Sequence, residues 1–296
     1  MKRIGVIGLG GMGKTLAEHL LAEGYTVTCF DTRTEALAAT AMHGASTAVS
    51  PRQVAQESDV VITFLPGPDE VLDVALHPET GVLGGLAEGS ILLDMSTCGP
   101  DVAVRIDEAF ARENRLYLDC PVSGRIPTMT VLVGGERGVL GENEEFVNEV
   151  SGSVIYCGHI GAGYAVKLLN QHVKYAWYLA SSEALLVARS YGLDPAFVAK
   201  AIGEGSGGKS GLTAAAEYFR GDMSAVRRHG PTRTIDKDMR LAEELSASCG
   251  ISSPTLQVVA DFFKEAGRSK FAQKPFPESN ALLAELRSNG TEGTNA

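Results

Sequence analysis

Residues 2–23, KRIGVIGLGGMGKTLAEHLLAE, decide the fold class of this chain. The apolar run KRIGVIGL is typical of a buried strand, and the apolar residues of MGKTLAEHLLAE recur at helical spacing. Between them lies a G-x-G-x-x-G loop, whose glycines permit a tight turn, the approach of a pyrophosphate and close helix–strand packing. The order strand, loop, helix predicts a dinucleotide-binding fold, because the helix N-terminus offers free N–H groups to the phosphates. The cofactor-binding residues predicted from the loop are Gly8, Leu9, Gly10, Gly11, Met12 and Gly13.

Asp31 indicates which dinucleotide binds. It ends the next apolar run, YTVTCFD, 18 residues after Gly13. A carboxylate at this position accepts a hydrogen bond from a ribose 2′-hydroxyl and repels a 2′-phosphate, so NAD is favoured over NADP. Arg33 leaves NADP open as the alternative, because a guanidinium there can pair with a 2′-phosphate.

The alternation of strands and helices continues to about residue 160 and then stops. Short apolar runs that end on a polar or turn residue are separated by helical stretches, which predicts βαβ units and a parallel sheet. These runs cover residues 59–66, 90–96 and 115–120. We therefore predict an α/β chain with an N-terminal Rossmann-like doubly wound sheet in residues 1–161. An all-α C-terminal domain for substrate binding and dimerisation follows in residues 162–296, and it includes a long interdomain helix over about residues 165–191.

The composition limits the partners. The 296 residues are 44% hydrophobic and carry a formal net charge of -10, which argues against binding to nucleic acid or to an anionic membrane. No stretch reaches the roughly 18 uninterrupted apolar residues of a membrane span. Five scattered cysteines without a C-x-x-C pair are typical of reduced thiols in a cytosolic protein. We predict a cytoplasmic protein with no metal site.

A second glycine motif suggests a different function class. GEGSGGKS, residues 203–210, satisfies G-x-x-x-x-G-K-[ST], the phosphate-binding loop of nucleoside triphosphatases. That loop requires a preceding strand, whereas the preceding residues PAFVAKAI have a helical pattern. We interpret the motif as an interhelical loop, with ATP hydrolysis as the competing hypothesis.

Four polar residues of the long helix share one face. Lys167, Asn170, Gln171 and Lys174 follow one another at i, i+3, i+4 and i+7. The helix is otherwise apolar and lies at the predicted seam between two domains, a usual place for a ligand site. A lysine that is partly removed from water can serve there as a general acid or base. We interpret Lys167 as catalytic and Asn170 as a substrate contact, and Lys174 as part of a solvated surface.

Six motifs, in this order, make the chain resemble the β-hydroxyacid dehydrogenase family, that of 3-hydroxyisobutyrate dehydrogenase and tartronate semialdehyde reductase. The resemblance covers nearly the whole chain. The motifs are GLGGMGKTLAEHLLAEGYTV, FLP (64–66), DMST (94–97), DCPVSG (119–124), GAGYAVKLLNQ (161–171) and DKDMRLA (236–242). The resemblance implies a Rossmann-like domain, a long interdomain helix, an all-α domain and a homodimer or homotetramer.

The resemblance also implies roles for individual residues. Further cofactor contacts come from Leu65, Pro66, Thr97 and Lys237. Ser123 and Gly124 hold the carboxylate of a small substrate, Lys167 is the catalytic acid or base, and Asn170 lies beside the substrate. The family usually has an Asn-Asn pair where this chain has Asn170-Gln171, a change that keeps the amide group.

Arg125 is the main departure from the family pattern. The family usually has a second glycine after P-V-S-G and then a longer loop, whereas this chain has Arg125 and a loop shorter by several residues. Either Arg125 points to solvent after a deletion, or it adds an anion contact to the substrate site, since a guanidinium binds carboxylate, phosphate or sulfonate in a bidentate way.

These observations predict an oxidoreductase that transfers a hydride between NAD(H) and a small 3-hydroxy acid or its semialdehyde. Two alternatives stay open. An imine reductase of the same fold is disfavoured because those relatives tend to replace the lysine that is present here as Lys167. A non-catalytic nucleotide-binding protein is suggested only by the altered substrate loop.

Overall fold

A computed structural model describes residues 2–190, 192–205, 210–248 and 254–283. The chain divides into two compact units, Met1–Lys167 and Leu168–Ala296. The division falls inside one long helix, which begins in the first unit and continues into the second.

The first unit is built on a single twisted sheet. Its described strands are β1 Arg3–Ile7, β2 Thr26–Phe30, β3 Ser46–Thr47, β4 Val60–Thr63, β5 Ile91–Asp94, β6 Leu116–Asp119, β7 Val122–Ser123, β8 Thr130–Gly134 and β9 Ser153–Gly158. Their order is β3-β2-β1-β4-β5-β6-β8-β7, with β9 beside β8. All neighbouring pairs are parallel except those of β8 with β6 and β7. β2 and β3 extend the sheet on one side of β1, and β4 to β6 extend it on the other. This change of side between β1 and β4 is the switch point at which open α/β sheets bind ligands.

Helices cover both faces of this sheet. They are α1 Gly11–Ala22, α2 Thr34–Ala41, α3 Pro51–Gln56, α4 Pro68–Leu76, α5 Pro100–Arg112 and α6 Glu144–Glu149, and α7 Ala162–Ser190 begins at the end of the unit. Successive side chains of a strand point to opposite faces. In β4, Val60 and Ile62 therefore join one buried apolar cluster, while Val61 joins the other. The central strands are apolar up to their carboxyl ends because both faces are buried.

The secondary-structure elements of more than one residue described in the second unit are all helices. After the rest of α7 come α8 Pro195–Glu204, α9 Ser210–Phe219, α10 Met223–Val226, α11 Thr232–Ser248 and α12 Pro254–Arg268. Four aromatic rings pack together within its apolar core. Tyr175, Tyr178, Phe263 and Phe276 contact one another edge to face or tilted, with ring centroids 4.6–6.3 Å apart.

The predicted fold class is confirmed: an α/β sheet of Rossmann type is followed by a helical C-terminal region. The long helix starts at Ala162, three residues before the predicted start, and is described to Ser190. Tyr191, the predicted end, lies outside the described residues. None of the described helices is long and apolar enough to cross a membrane.

The second glycine motif lacks the structure that a phosphate-binding loop needs. The element that leads into it is the helix α8, which still includes Gly203 and Glu204. A phosphate-binding loop follows a strand of a βαβ unit. Residues 206–209 of the motif lie outside the described residues. The helix that precedes this motif therefore agrees with its interpretation as an interhelical loop.

Candidate active site

The carboxyl ends of β1, β4, β5 and β6 meet at one edge of the sheet and position most of the predicted site. Backbone hydrogen bonds between neighbouring strands continue past the strand ends. The Phe64 N–H donates to the Ile7 carbonyl (2.9 Å), and the Met95 N–H donates to the Thr63 carbonyl (3.0 Å). As a result, the glycine loop, the Leu65-Pro66 turn and the loop that carries Thr97 start next to one another. Open α/β sheets bind ligands at this edge.

The glycine loop is packed on its protein side and open on the other. Gly8 has a φ of +89°, and a Cβ there would lie 2.2 Å from the Phe64 carbonyl oxygen. A Cβ on Gly13 would lie 1.9 Å from the Gly8 carbonyl oxygen, so neither position tolerates a side chain. Gly10 and Gly11, by contrast, are exposed, and a Cβ there would meet no atom within 4 Å. The open space at the N-terminus of α1 fits a pyrophosphate, which needs backbone N–H groups without side chains in its way.

Asp31 and Arg33 are joined to this loop. Leu9 N–H donates to Asp31 Oδ2 (2.6 Å), and the Arg33 guanidinium donates to both Asp31 oxygens (3.0 and 3.1 Å) and to the Leu9 carbonyl (3.0 Å). Partial burial opposes ionisation of Asp31, but hydrogen bonds from Arg33 and Leu9 outweigh it and hold the pKa of Asp31 below its ordinary value. The loop thus has an ionised carboxylate at its side, as a ribose hydroxyl requires.

Ser96 connects the two remaining cofactor loops. Its hydroxyl accepts from the Leu65 N–H (2.9 Å), and its own N–H donates to Asp94 Oδ1 (2.9 Å). Pro66 is exposed and Thr97 is half-buried at this edge. Ser96 therefore links the Leu65-Pro66 turn to the loop that carries Thr97, two segments that the resemblance assigns to one cofactor.

The P-V-S-G segment forms a tight hairpin. Ser123 of β7 pairs with Thr130 of β8, so residues 124–129 form the loop. Gly124 has a φ of +103°, which favours glycine. Thr128 N–H donates to the Arg125 carbonyl (2.8 Å) and closes the turn, while the Arg125 side chain is exposed. The shortened loop is thus ordered by its own hydrogen bonds and presents Arg125 at its tip.

Lys167 lies in the second turn of α7 and is buried, with 8% of its surface exposed. The helix is attached to the sheet just before it. The Asp119 carboxylate at the end of β6 accepts from the Gly161 N–H (2.8 Å) and from the Tyr164 N–H (2.9 Å). Burial raises the pKa of Asp119 to about 6, despite these hydrogen bonds.

Two predicted residues lie in the second unit. Asn170 is exposed on α7, and Lys237 on α11 forms an ion pair with Asp238 (Nζ–Oδ1 3.0 Å). Gln171, buried on α7, donates to Asp238 Oδ2 (2.7 Å). Gln171 therefore links α7 to α11 by a buried hydrogen bond within this unit.

Sequence reasoning did not single out Asp94, Asp119 or Tyr164, which are all buried in the site. The signal was present, because both aspartates end apolar runs at the carboxyl edge of a parallel sheet. Among the described residues, no group of three or more His, Cys, Asp or Glu side chains could hold a metal ion.

Comparison with known proteins identifies the family. Residues 3–158 match the family model of the NAD-binding domain of 6-phosphogluconate dehydrogenase, and residues 161–277 match that of the NAD-binding region of NADP-dependent 3-hydroxyisobutyrate dehydrogenase. The chain belongs to the β-hydroxyacid dehydrogenase family. The resemblance inferred from the six motifs is thereby confirmed, and with it the presence of a domain that binds a nicotinamide cofactor.

Individual members of the β-hydroxyacid dehydrogenase family align over most of the chain. It is 30% identical to 2-(hydroxymethyl)glutarate dehydrogenase of Eubacterium barkeri (90% of this chain, 89% of the relative). It is 36% identical to a probable 3-hydroxyisobutyrate dehydrogenase-like protein of Arabidopsis thaliana (88% and 79%). The structure of Mycobacterium tuberculosis 3-hydroxyisobutyrate dehydrogenase with L-serine superposes with a TM-score of 0.85 at 26% identity, covering 96% of this chain and 99% of that one.

The raised pKa of Asp119 predicts a pH-dependent stability. Protonation of Asp119 favours the folded state, so its contribution is full below pH 4 and is lost as the pH rises through about 6. Between pH 7 and pH 5 this contribution to the free energy of unfolding changes by about 1.3 kcal/mol. We measure the free energy of unfolding in urea for the wild type and for Asp119→Asn at both pH values. Relative to the variant, the wild type should be more stable at pH 5 than at pH 7 by this amount.

A surface aspartate of the same unit supplies the control. Hydrogen bonding to Arg3 lowers the pKa of Asp59, so the difference between the wild type and Asp59→Asn should not shift in that direction between pH 7 and pH 5. A wild-type advantage over Asp119→Asn that is equal at both pH values would contradict the account of Asp119.

Proposed function

We propose that this protein is an NAD-dependent dehydrogenase or reductase that acts on a small 3-hydroxy acid or its semialdehyde. One observation carries the proposal: Tyr164, one helical turn before the buried Lys167, donates to Asp94, which also holds the Ser96-Thr97 loop. A lysine is thus carried on a helix that is bonded to the proposed cofactor loops. The named relatives, which are dehydrogenases of hydroxy acids, support the same reaction class.

Lys167 is the proposed acid and base. A nicotinamide cofactor, when bound, would supply the hydride for reduction of the carbonyl carbon or take it up in oxidation of the hydroxyl-bearing carbon. Lys167 gives its proton to the carbonyl oxygen in reduction and takes the hydroxyl proton in oxidation. Burial of Lys167 keeps bulk water away from this proton.

Ser123 and Gly124 are the proposed carboxylate contacts, because the hairpin fixes both backbone positions. Binding of the carboxylate orients the reactive carbon before the reaction. The bimolecular reaction then proceeds as a unimolecular step within the bound complex. Asn170 and Lys237 keep the roles that the family resemblance implies, beside the substrate and at the cofactor. A homodimer or homotetramer and a cytoplasmic location also stay predictions from the sequence.

Arg125 is the proposed contact for a second anionic group. It follows Gly124 directly, and the closed hairpin turn leaves its guanidinium exposed. The Eubacterium barkeri relative is named for a glutarate, a dicarboxylate, which agrees with a second anion contact in this family. The test compares the KM values of monocarboxylic and dicarboxylic 3-hydroxy acids in the wild type and in Arg125→Gly. If the two substrate classes have equal KM values in both proteins, this contact is ruled out and Arg125 only faces solvent.

The Lys167 proposal predicts a loss of turnover without loss of cofactor binding. With a substrate chosen from a panel of small 3-hydroxy acids, we expect Lys167→Ala to lower kcat at least ~100-fold, the usual scale for removing a general acid or base. Lys167→Arg should also be inactive, because a guanidinium does not give up its proton near neutral pH. The Kd of NADH, measured by fluorescence titration, should stay within about twofold.

Lys174→Ala is the matched control, since Lys174 is an exposed lysine two turns further along α7. It should keep near-wild-type kcat. A folded Lys167→Ala variant with near-wild-type turnover would contradict the mechanism. Absence of turnover on the whole panel, with NADH still bound, would favour a non-catalytic protein.

The Asp31 carboxylate predicts a preference for NAD. Its ionised form repels a 2′-phosphate, while the guanidinium of Arg33 neutralises part of that repulsion. We expect the KM of NAD to lie at least ~10-fold below that of NADP, which corresponds to about 1.4 kcal/mol. The ratio of the KM of NADP to the KM of NAD should fall in Asp31→Asn and rise in Arg33→Ala. A lower KM for NADP in the wild type would overturn this preference.

A further inference from the structure

Two carboxylates are fully buried at the ends of adjacent strands. Asp94 ends β5 and is 1% exposed, and Asp119 ends β6 and is 0% exposed. The two residues are direct register partners in the sheet. A buried carboxylate is costly unless hydrogen bonds replace its hydration, so the groups that bond to these two aspartates show what the pair holds in place.

Asp119 holds the N-terminus of α7. Its oxygens accept from the N–H groups of Gly161 and Tyr164, which have no intrahelical partner at a helix start. The surrounding space admits no additional carbon. A Cβ on Gly163 would lie 2.7 Å from Asp119 Oδ2, and a Cβ on Gly134 would lie 2.3 Å from Oδ1. Gly163 of the GAGYAVK motif and Gly134 of β8 therefore leave the space that Asp119 needs to reach the helix start.

Asp94 joins the same helix to the cofactor loops. One of its oxygens accepts a hydrogen bond from the Tyr164 hydroxyl. The other accepts hydrogen bonds from Thr63 Oγ1 (2.8 Å) and from the Ser96 N–H (2.9 Å). Ser96 in turn binds the Leu65 N–H. The backbone and the side chain of Tyr164 are thus fixed by different aspartates, and the second of these also orders two loops.

We infer that Tyr164 is a positioning residue for the reaction, fixing the turn of α7 that carries Lys167 against the loops that bind the cofactor. This inference rests on the proposed function. Tyr164 precedes Lys167 by three residues, so both lie on the same side of the helix. A displacement of about 1 Å of a reacting group can cost ~100-fold in rate, so a single bond between this turn and the sheet edge affects the chemistry.

Tyr164→Phe tests the inference because it removes one hydroxyl and keeps the buried ring. We expect kcat to fall ~10-fold or more, while the KM of the substrate and the Kd of NADH stay within about twofold. The matched control is Tyr178→Phe, on the same helix but in the second unit. Tyr178 is 1% exposed and accepts a hydrogen bond from Asn280 (2.6 Å), so this change also removes a buried hydroxyl with a partner. Tyr178→Phe should lower the thermal midpoint to a similar extent and leave kcat unchanged.

Amide hydrogen exchange gives a second readout that needs no substrate. In Tyr164→Phe, the peptide covering residues 161–167 should exchange at least ~10-fold faster, and in Tyr178→Phe it should exchange at the wild-type rate. If the wild type turns over no 3-hydroxy acid, the proposed function fails, and exchange alone decides whether Tyr164 orders this turn. Unchanged exchange in Tyr164→Phe, or a fall in kcat that Tyr178→Phe reproduces, would overturn the inference.

Discussion

The hydrogen bonds from the Gly161 and Tyr164 amides to Asp119 are the constraint on which the candidate site depends. They satisfy the open N–H groups of α7 with a buried carboxylate from the neighbouring sheet edge. An anion at a helix N-terminus is stabilised by the helix dipole, and here the sheet supplies that anion. The helix that carries Lys167 therefore starts at a position set by β6.

The opposite side of the site depends on close backbone packing. Gly8 and Gly13 bring the first turn of α1 against the ends of β1 and β4, where a side chain would overlap carbonyl oxygens. Gly10 and Gly11 then face open space. Asp31 and Arg33 hold the loop through the backbone of Leu9, so the two side chains that fix the loop also place a charged pair beside it.

The sequence predicted the parts of the site that depend on local pattern. Strand, glycine loop and helix follow from apolar periodicity and from the conformations that glycine permits, and the family match confirms the dinucleotide fold. The sequence did not predict the buried hydrogen bonds of the site. Asp94 and Asp119 look like ordinary strand ends in sequence, and their bonds to Tyr164 span 70 and 45 residues. Such pairing depends on the order of strands in the sheet, which periodicity does not specify.

The role of residues in the P-V-S-G hairpin illustrates a second limit. A family motif predicts which residues contact a carboxylate, but Arg125 departs from that motif, and its exposure at a hairpin tip depends on the short loop of this chain. Gln171 is a second example, because it bonds to Asp238, a residue of another helix that the family motif around Gln171 does not include. Local sequence patterns predict elements, and tertiary contacts decide what their side chains do.

Direct observation of hydride transfer tests the central claim. The enzyme is incubated with NAD⁺ and a 3-hydroxy acid that carries deuterium on its hydroxyl-bearing carbon, and the reduced cofactor is weighed by mass spectrometry. The account predicts reduced cofactor that is one mass unit heavier than that formed from the unlabelled acid. Reduced cofactor without deuterium, or none from any acid while NADH still binds, would contradict it.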